Sequence, residues 1–111
     1  MKTSHLDHAY LKTIIDLLGA EQFALLKDQF VKDCDKASAT LLTAITQGDE
    51  TQVRRQAHLL KGVLAQYGAR RGEAIAARLV DDLPSDWRSV AQDLLDETAM
   101  ACTEMAVLAG T

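Results

Sequence analysis

Residues 49–69 read DETQVRRQAHLLKGVLAQYGA, and this stretch decides the fold. Asp49 is suited to be an N-cap residue, and Gln52 three positions later can complete a capping box for a helix from about Glu50 to Tyr67. At about 100° per residue, the large apolar side chains of that helix share one side. They are Val53, Leu60, Leu64 and Tyr67. The stretch therefore predicts an amphipathic helix with one buried side.

The opposite side of this helix has an unusual composition. Around His58, within roughly 60°, lie Thr51, Arg54, Lys61, Gly62 and Ala65. The imidazole of His58 is therefore expected to face solvent. Gly62 follows one turn later, where glycine costs on the order of 1 kcal/mol relative to alanine. We infer that the missing side chain leaves the imidazole accessible to a second protein, while Lys61 and Arg54 add positive charge beside it.

An exposed neutral imidazole is a competent nucleophile at neutral pH, and it needs no base when its target is already activated. A phosphoryl group carries about two negative charges, which the ammonium group of Lys61 can stabilise. The sequence contains no nucleotide-binding loop, and no carboxylate is placed to pair with His58. The pattern favours a chain that carries a phosphoryl group on His58 without making its own phosphodonor.

Helical spacing continues on both sides of this stretch. The further predicted helices run from about Leu6 to Leu18, from Ala20 to Thr46, from Ala69 to Leu83, and onward from Pro84 or Ser85. Gly68 is expected to end the third helix in the left-handed conformation. Connections of two to four residues require antiparallel neighbours. The sequence thus predicts an all-α fold, an antiparallel up-down-up-down four-helix bundle with a short additional N-terminal helix, formed by residues 1–111 as one domain.

Composition excludes several classes of protein. A chain of 111 residues with 48% hydrophobic content has room for one core, and its net charge of -4 argues against nucleic acid as the partner. No apolar stretch approaches the roughly 20 residues that span a membrane, and the N-terminus lacks a secretory h-region. We therefore expect a cytoplasmic protein. Cys34 and Cys102 stand outside any ligand spacing and are interpreted as buried thiols in a reducing compartment.

Metal and cofactor sites find little support in the sequence. No glutamate is followed three residues later by a histidine, as a carboxylate-bridged metal bundle requires. His5 and His8 can share a helix face, but they lack a third ligand and are expected to be solvated. We predict no metal ligand and no cofactor in this chain.

A second basic feature follows the turn after the predicted third helix. Arg70 and Arg71 could join Arg54, Arg55 and Lys61 in a basic zone near one end of the bundle, which would suit an acidic partner. Two pairs of ordinary solvated arginines remain the alternative.

Residues 57–69, AHLLKGVLAQYGA, resemble the signature of histidine-containing phosphotransfer domains, A-H-x-L-K-G-x-x-x-x-x-G-A. The resemblance covers nearly the whole chain. It implies that His58 is the phospho-acceptor, that Lys61 supports the phosphoryl group and that Gly62 is the clearing beside it. It also makes Gly68 a packing and turn glycine. The two positions after Gly62, commonly Ser or Ala in the family, are Val63 and Leu64 here, and both are expected on the core side.

The family implies a phosphoryl carrier without intrinsic kinase activity. It would take phosphate from the aspartate of one receiver domain and pass it to another, in response regulators and hybrid sensor histidine kinases. Magnesium is then expected on the receiver only, Arg54, Arg55, Gly62 and Ala65 are expected to contact the partner, and the bundle is expected to be monomeric. Two alternatives stay open: an adaptor that docks receivers or kinases without carrying phosphate, and a metal- or cofactor-binding bundle.

Overall fold

The computed structural model describes residues 4–109, and this part of the chain contains five helices and no strand. The helices are α1 (His8–Leu18), α2 (Ala20–Gln47), α3 (Glu50–Gln66), α4 (Arg70–Asp81) and α5 (Trp87–Ala109). The predicted all-helical class is confirmed. Residues 1–3 and 110–111 of the predicted single domain lie outside the described residues. None of the five helices is long and apolar enough to cross a membrane.

The predicted N-cap of α3 forms, but the predicted capping box does not. The Asp49 carboxylate accepts a hydrogen bond from the backbone N of Gln52 at 3.1 Å. The return bond of the predicted capping box does not form, because the Gln52 side chain accepts from Nε2 of Gln56 at 3.1 Å and the Asp49 N–H donates to the carbonyl of Ala44. Gly48, with φ +68°, makes the turn from α2 into this cap.

The predicted start of α1 is wrong by two residues. Asp7 is the N-cap, and its carboxylate accepts a hydrogen bond from the backbone N of Tyr10 at 3.0 Å, so the helix begins at His8. Leu6 precedes the cap and contributes a buried side chain from a bend.

The boundary between α4 and α5 also differs from the prediction. The helix α4 ends at Asp81, two residues before the predicted end at Leu83, and Asp82 is extended with φ -154°. Leu83 precedes Pro84, and the proline ring disfavours helical backbone at that position. A turn then leads into α5, which begins at Trp87 instead of Pro84 or Ser85.

The helices pack around one shared core. Helix α2 packs against α3 and α5, α4 packs against the same two helices, and α1 packs against α2. The large side chains that are fully buried include Phe30, Leu41, Leu60, Leu64, Leu79, Leu94 and Met105. The predicted buried side of α3 is confirmed, since Val53, Leu60, Leu64 and Tyr67 are all buried.

Residues 4–10, with their contacts to α5 and to the turn after α3, form what we call the N-terminal joint. This joint contacts the C-terminal end of α3. The Asp7 N–H donates to the carbonyl of Gly68 at 2.8 Å, and the Tyr10 hydroxyl donates to the carbonyl of Gln66 at 3.0 Å. Gly68 is left-handed as predicted, with φ +75°, and a Cβ there would lie 2.8 Å from the Tyr10 ring. The turn after α3 therefore requires glycine on two grounds.

Two histidines belong to this joint. His5 Nδ1 lies 2.6 Å from Oε2 of Glu97, whose side chain is only 6% exposed, and His8 Nε2 pairs with the carboxylate of Glu104. His8 is exposed, as expected, whereas His5 is only partly exposed. The sequence did not predict that both rings pair with carboxylates of α5. Across residues 4–109, no group of three or more His, Cys, Asp or Glu side chains is arranged to hold a metal ion.

Candidate functional site

His58 lies near the middle of α3 on its outer side. The side chain is exposed, while Ala57 and Leu60, on the inner side of the same helix, are completely buried. Within the described residues the imidazole makes no hydrogen bond and no ion pair. The predicted exposure of His58 is confirmed, and the ring is free to react with or bind an external group.

Gly62 differs from the other described glycines in a way that bears on His58. Gly19, Gly48 and Gly68 have positive φ, and a Cβ on Gly72 would lie 2.8 Å from the Leu64 side chain. Gly62 has ordinary helical backbone, and a Cβ there would meet nothing within 4 Å. Packing therefore does not require glycine at this position, although glycine destabilises a helix interior by about 1 kcal/mol. The remaining explanation for glycine at position 62 is that it leaves open space beside the imidazole of His58.

The positive charges predicted near His58 are present on the α4 side of α3. Lys61 is half-buried, one turn after His58, and its ammonium group makes no ion pair within residues 4–109. Arg54 is exposed and donates from Nη2 to the carbonyl of Val80 at 3.1 Å, which fixes its guanidinium near the end of α4. Arg55 is exposed beside it. None of these cations is neutralised by a described carboxylate, so the site favours an anionic partner or group.

The predicted basic zone does not extend to Arg70 and Arg71. Arg70 lies 3.8 Å from Asp7 and 3.6 Å from Glu73, and Arg71 lies 3.9 Å from the buried Glu97. Both arginines follow the C-terminal end of α3. That end lies about 18 Å along the helix axis from Arg54, given a rise of about 1.5 Å per residue. The larger zone was therefore a wrong prediction, because local carboxylates compensate these two charges.

Sequence reasoning missed a groove between α2 and α3. It has a volume of about 350 Å³ and its walls include Leu59 and Val63 from α3 and Lys36 and Ala37 from α2. Leu59 is 52% exposed, so this wall of the groove is partly apolar. Val63 and Leu64 were both expected on the core side. Leu64 is fully buried, and Val63 is partly buried against the core, at the edge that lines this groove.

The comparisons with known proteins place the chain in a family. A model of the Hpt domain matches residues 25–106, which is 82 of the 111 residues and includes all of α3 and α4. The searches of curated proteins and of solved structures returned no match. The chain belongs to the Hpt domain family, the histidine phosphotransfer domains of two-component phosphorelays.

Proposed function

We propose that the chain is a phosphorelay intermediate in which His58 accepts a phosphoryl group from the aspartate of one receiver domain and passes it to the aspartate of another. The observation that carries this proposal is the unpaired, exposed imidazole of His58 beside a glycine that packing does not require. Family membership supports it, since histidine phosphotransfer is the activity of Hpt domains.

The proposed step conserves atoms and charge. The lone pair of the outer ring nitrogen of His58 attacks the phosphorus of the aspartyl phosphate, the bond from phosphorus to the carboxylate oxygen breaks, and the receiver carboxylate leaves. The proton on the other ring nitrogen stays in place. A neutral imidazole needs no general base for this attack because the acyl phosphate is already activated. Lys61 stabilises the phosphoryl oxygens on His58 through its charge.

Partner contact is assigned to the surface around the acceptor. Arg54, Arg55, Gly62 and Ala65 would meet the receiver, and the first two would attract its acidic pocket. Magnesium would be bound by the receiver, and this chain would need no cofactor and have no kinase activity of its own. The partners would be the receivers of response regulators and hybrid sensor histidine kinases.

The proposal also includes the up-down-up-down order of the bundle. Its support comes from contacts between helix ends: Arg54 near the start of α3 reaches Val80 near the end of α4, and Gly48 after α2 lies against Arg88 at the start of α5. A cytoplasmic location and a monomeric state stay predictions. The free thiols of Cys34 and Cys102 accord with a reducing compartment.

Phosphate transfer from a labelled receiver tests the proposal. A receiver domain is phosphorylated with a small-molecule phosphodonor and magnesium, freed of the donor, and mixed with the purified chain. We expect rapid appearance of acid-labile label on the wild-type chain and none on the His58→Gln variant. His8→Gln is the matched control, since His8 is an exposed histidine that is already paired with a carboxylate, and this variant should be labelled normally.

Label that survives His58→Gln would overturn the assignment of the acceptor. The adaptor alternative predicts a different pattern, in which the chain binds the receiver and takes up no label. A binding measurement on the same wild-type sample therefore separates the two functions.

A further inference from the structure

The groove between α2 and α3 lies beside the proposed acceptor. Each of its walls is one face of a helix, since its residues recur at positions i, i+3 and i+7. They include Asp33, Lys36 and Thr40 of α2 and Gln56, Leu59 and Val63 of α3. The α3 wall spans about two turns, or about 10 Å, and His58 lies within that stretch. Leu59 is the next residue, rotated by about 100° from His58 towards α2, so the groove adjoins the surface that carries the imidazole.

The two sides of His58 differ in charge. Towards α4 stand Arg54 and Lys61, which no described carboxylate neutralises. Towards α2 the groove carries one acid and one base, Asp33 and Lys36, and so has no net charge. The acidic pocket of a receiver is therefore attracted to the α4 side, and an uncharged group of the same receiver is left to face the groove. This difference fixes how a receiver is oriented over the imidazole.

Gln56 gives the groove a polar requirement. Its side chain is only 8% exposed, and its Nε2 donates to Oε1 of Gln52 at 3.1 Å. Its own Oε1 has no partner within residues 4–109 and keeps contact with solvent. The hydroxyl of Thr40 cannot serve it, because that hydroxyl donates to the carbonyl of Lys36 at 3.2 Å. A group that fills the groove must therefore bring an N–H or O–H donor, or it leaves this carbonyl oxygen unpaired at a cost in affinity.

We propose that this groove selects among receivers, by taking a large uncharged side chain that has an apolar body and a hydrogen-bond donor at its tip, as tyrosine and tryptophan have. Leu59 supplies the apolar contact, and Gln56 supplies the acceptor. The inference rests on the proposed function and adds the receiver chemistry that the groove recognises. A groove of about 350 Å³ has the size of a small-ligand site, which suits one side chain and not a whole helix.

Truncation of Leu59 tests whether the groove contacts the receiver. Transfer from a phosphorylated receiver is measured in single turnovers at increasing concentrations of the wild-type chain, Leu59→Ala and Leu42→Ala. Leu42 is the matched control, since it is 53% exposed on α2 and is not part of the groove. Leu59→Ala should raise the half-saturating concentration roughly fivefold, with the effect in that constant and not in the maximal rate, and Leu42→Ala should raise neither. Equal behaviour of the two variants would overturn the proposal.

Gln56→Met tests the selection itself, because it keeps the size of the side chain and removes the acceptor. Two receivers are compared, one with a tyrosine beside its acidic pocket and the phenylalanine variant of the same receiver. The wild-type chain should prefer the tyrosine form by roughly tenfold in kcat/KM, and Gln56→Met should reduce this preference to less than roughly threefold. A wild-type chain without preference, or a preference that Gln56→Met leaves intact, would overturn the role of Gln56. The wild-type preference and the Leu59 comparison decide the matter where circular dichroism shows that Gln56→Met does not fold.

A donor without a receiver separates this inference from the proposed function. Phosphoramidate transfers its phosphoryl group to an imidazole and releases ammonia. Slower labelling of Leu59→Ala than of Leu42→Ala by phosphoramidate would place the effect on the imidazole and overturn the inference. A wild-type chain that takes label from neither phosphoramidate nor receivers would overturn the proposed function, whereas a labelled wild-type chain with equal leucine variants overturns this inference alone. Dimerisation of the wild-type chain that Leu59→Ala abolishes, without a change in transfer, would assign the groove to a second copy instead.

Discussion

The outer face of α3 and the N-terminal joint place the histidines of this chain in opposite surroundings. In the joint, the rings of His5 and His8 are each held by a carboxylate of α5. On α3, the ring of His58 has no partner within the described residues, and the adjacent Gly62 leaves it uncovered. The same side chain therefore serves structure where its nitrogens are bonded internally, and is available for chemistry where they are not.

The largest expected effect concerns the glycines of the two regions. Gly68→Ala should destabilise the chain by about 2–3 kcal/mol, because a side chain is strained at positive φ and its Cβ would collide with the Tyr10 ring. Gly62→Ala should instead stabilise it by up to about 1 kcal/mol, since the position is helical and open. Urea unfolding followed by circular dichroism measures both. Equal effects of the two substitutions would remove the distinction between the regions.

The second prediction tests whether the open space matters for transfer. Gly62→Leu should fold normally but slow phosphate transfer at His58 by roughly tenfold, equivalent to about 1.4 kcal/mol in the barrier, because the added side chain covers the imidazole. Single-turnover transfer from a phosphorylated receiver measures the rate. A normal rate in this variant would contradict the proposed reason for glycine at position 62.

The third prediction concerns the acid side of the N-terminal joint. Burial raises the pKa of Glu104, but hydrogen bonds from Ser4, the His5 backbone and His8 outweigh it and lower that pKa from 4.5 to about 2. A carboxyl group with a depressed pKa stabilises the folded chain above its unfolded pKa, and this stabilisation is lost as the pH falls from about 4.5 towards 2.

Glu104→Gln should therefore cost about 1–2 kcal/mol near pH 7, and its cost should shrink as the pH falls below about 4.5. Urea titrations of both proteins between pH 7 and pH 3 give the difference. Asp93→Asn is the control, since Asp93 is an exposed carboxylate on the same helix, and it should show little change. A cost for Glu104→Gln that is independent of pH would argue that the charge of this carboxylate is unimportant.

The smallest expected effect is that of Lys61. Lys61→Ala should slow transfer roughly threefold, corresponding to about 0.7 kcal/mol of lost charge stabilisation at a solvated site. The free energy of unfolding should change by less than about 1 kcal/mol. Lys32→Ala, an exposed lysine of α2, should leave the rate unchanged. Comparable slowing in both variants would assign the effect to net charge and not to the position of Lys61.

Local features of the sequence predicted the α3 face well. The helical period alone placed His58 outside and Leu60 inside, and Asp49 marked the start of the helix correctly. The end of α4 was predicted at Leu83, immediately before Pro84, but the helix ends at Asp81. Proline disfavours helical backbone at the residue before it as well as at its own position, so Leu83 cannot be the last helical residue.

Contacts between distant positions could not be predicted in this way. His5 meets Glu97, and Arg71 meets the same glutamate, across more than twenty residues in both cases. No periodicity within one helix contains that information, since it depends on which faces of two helices are packed together. The histidine pairs and the compensated arginines became visible only in the structure.

The two anchored ends of α3 have a mechanical consequence. Asp49 caps the start of the helix. At its other end, Tyr10 donates a hydrogen bond to the carbonyl of Gln66, and Asp7 donates one to the carbonyl of Gly68 in the following turn. A partner protein that binds to the middle of α3 therefore contacts a helix that is already ordered. Association on this side of the chain then needs little further ordering of α3.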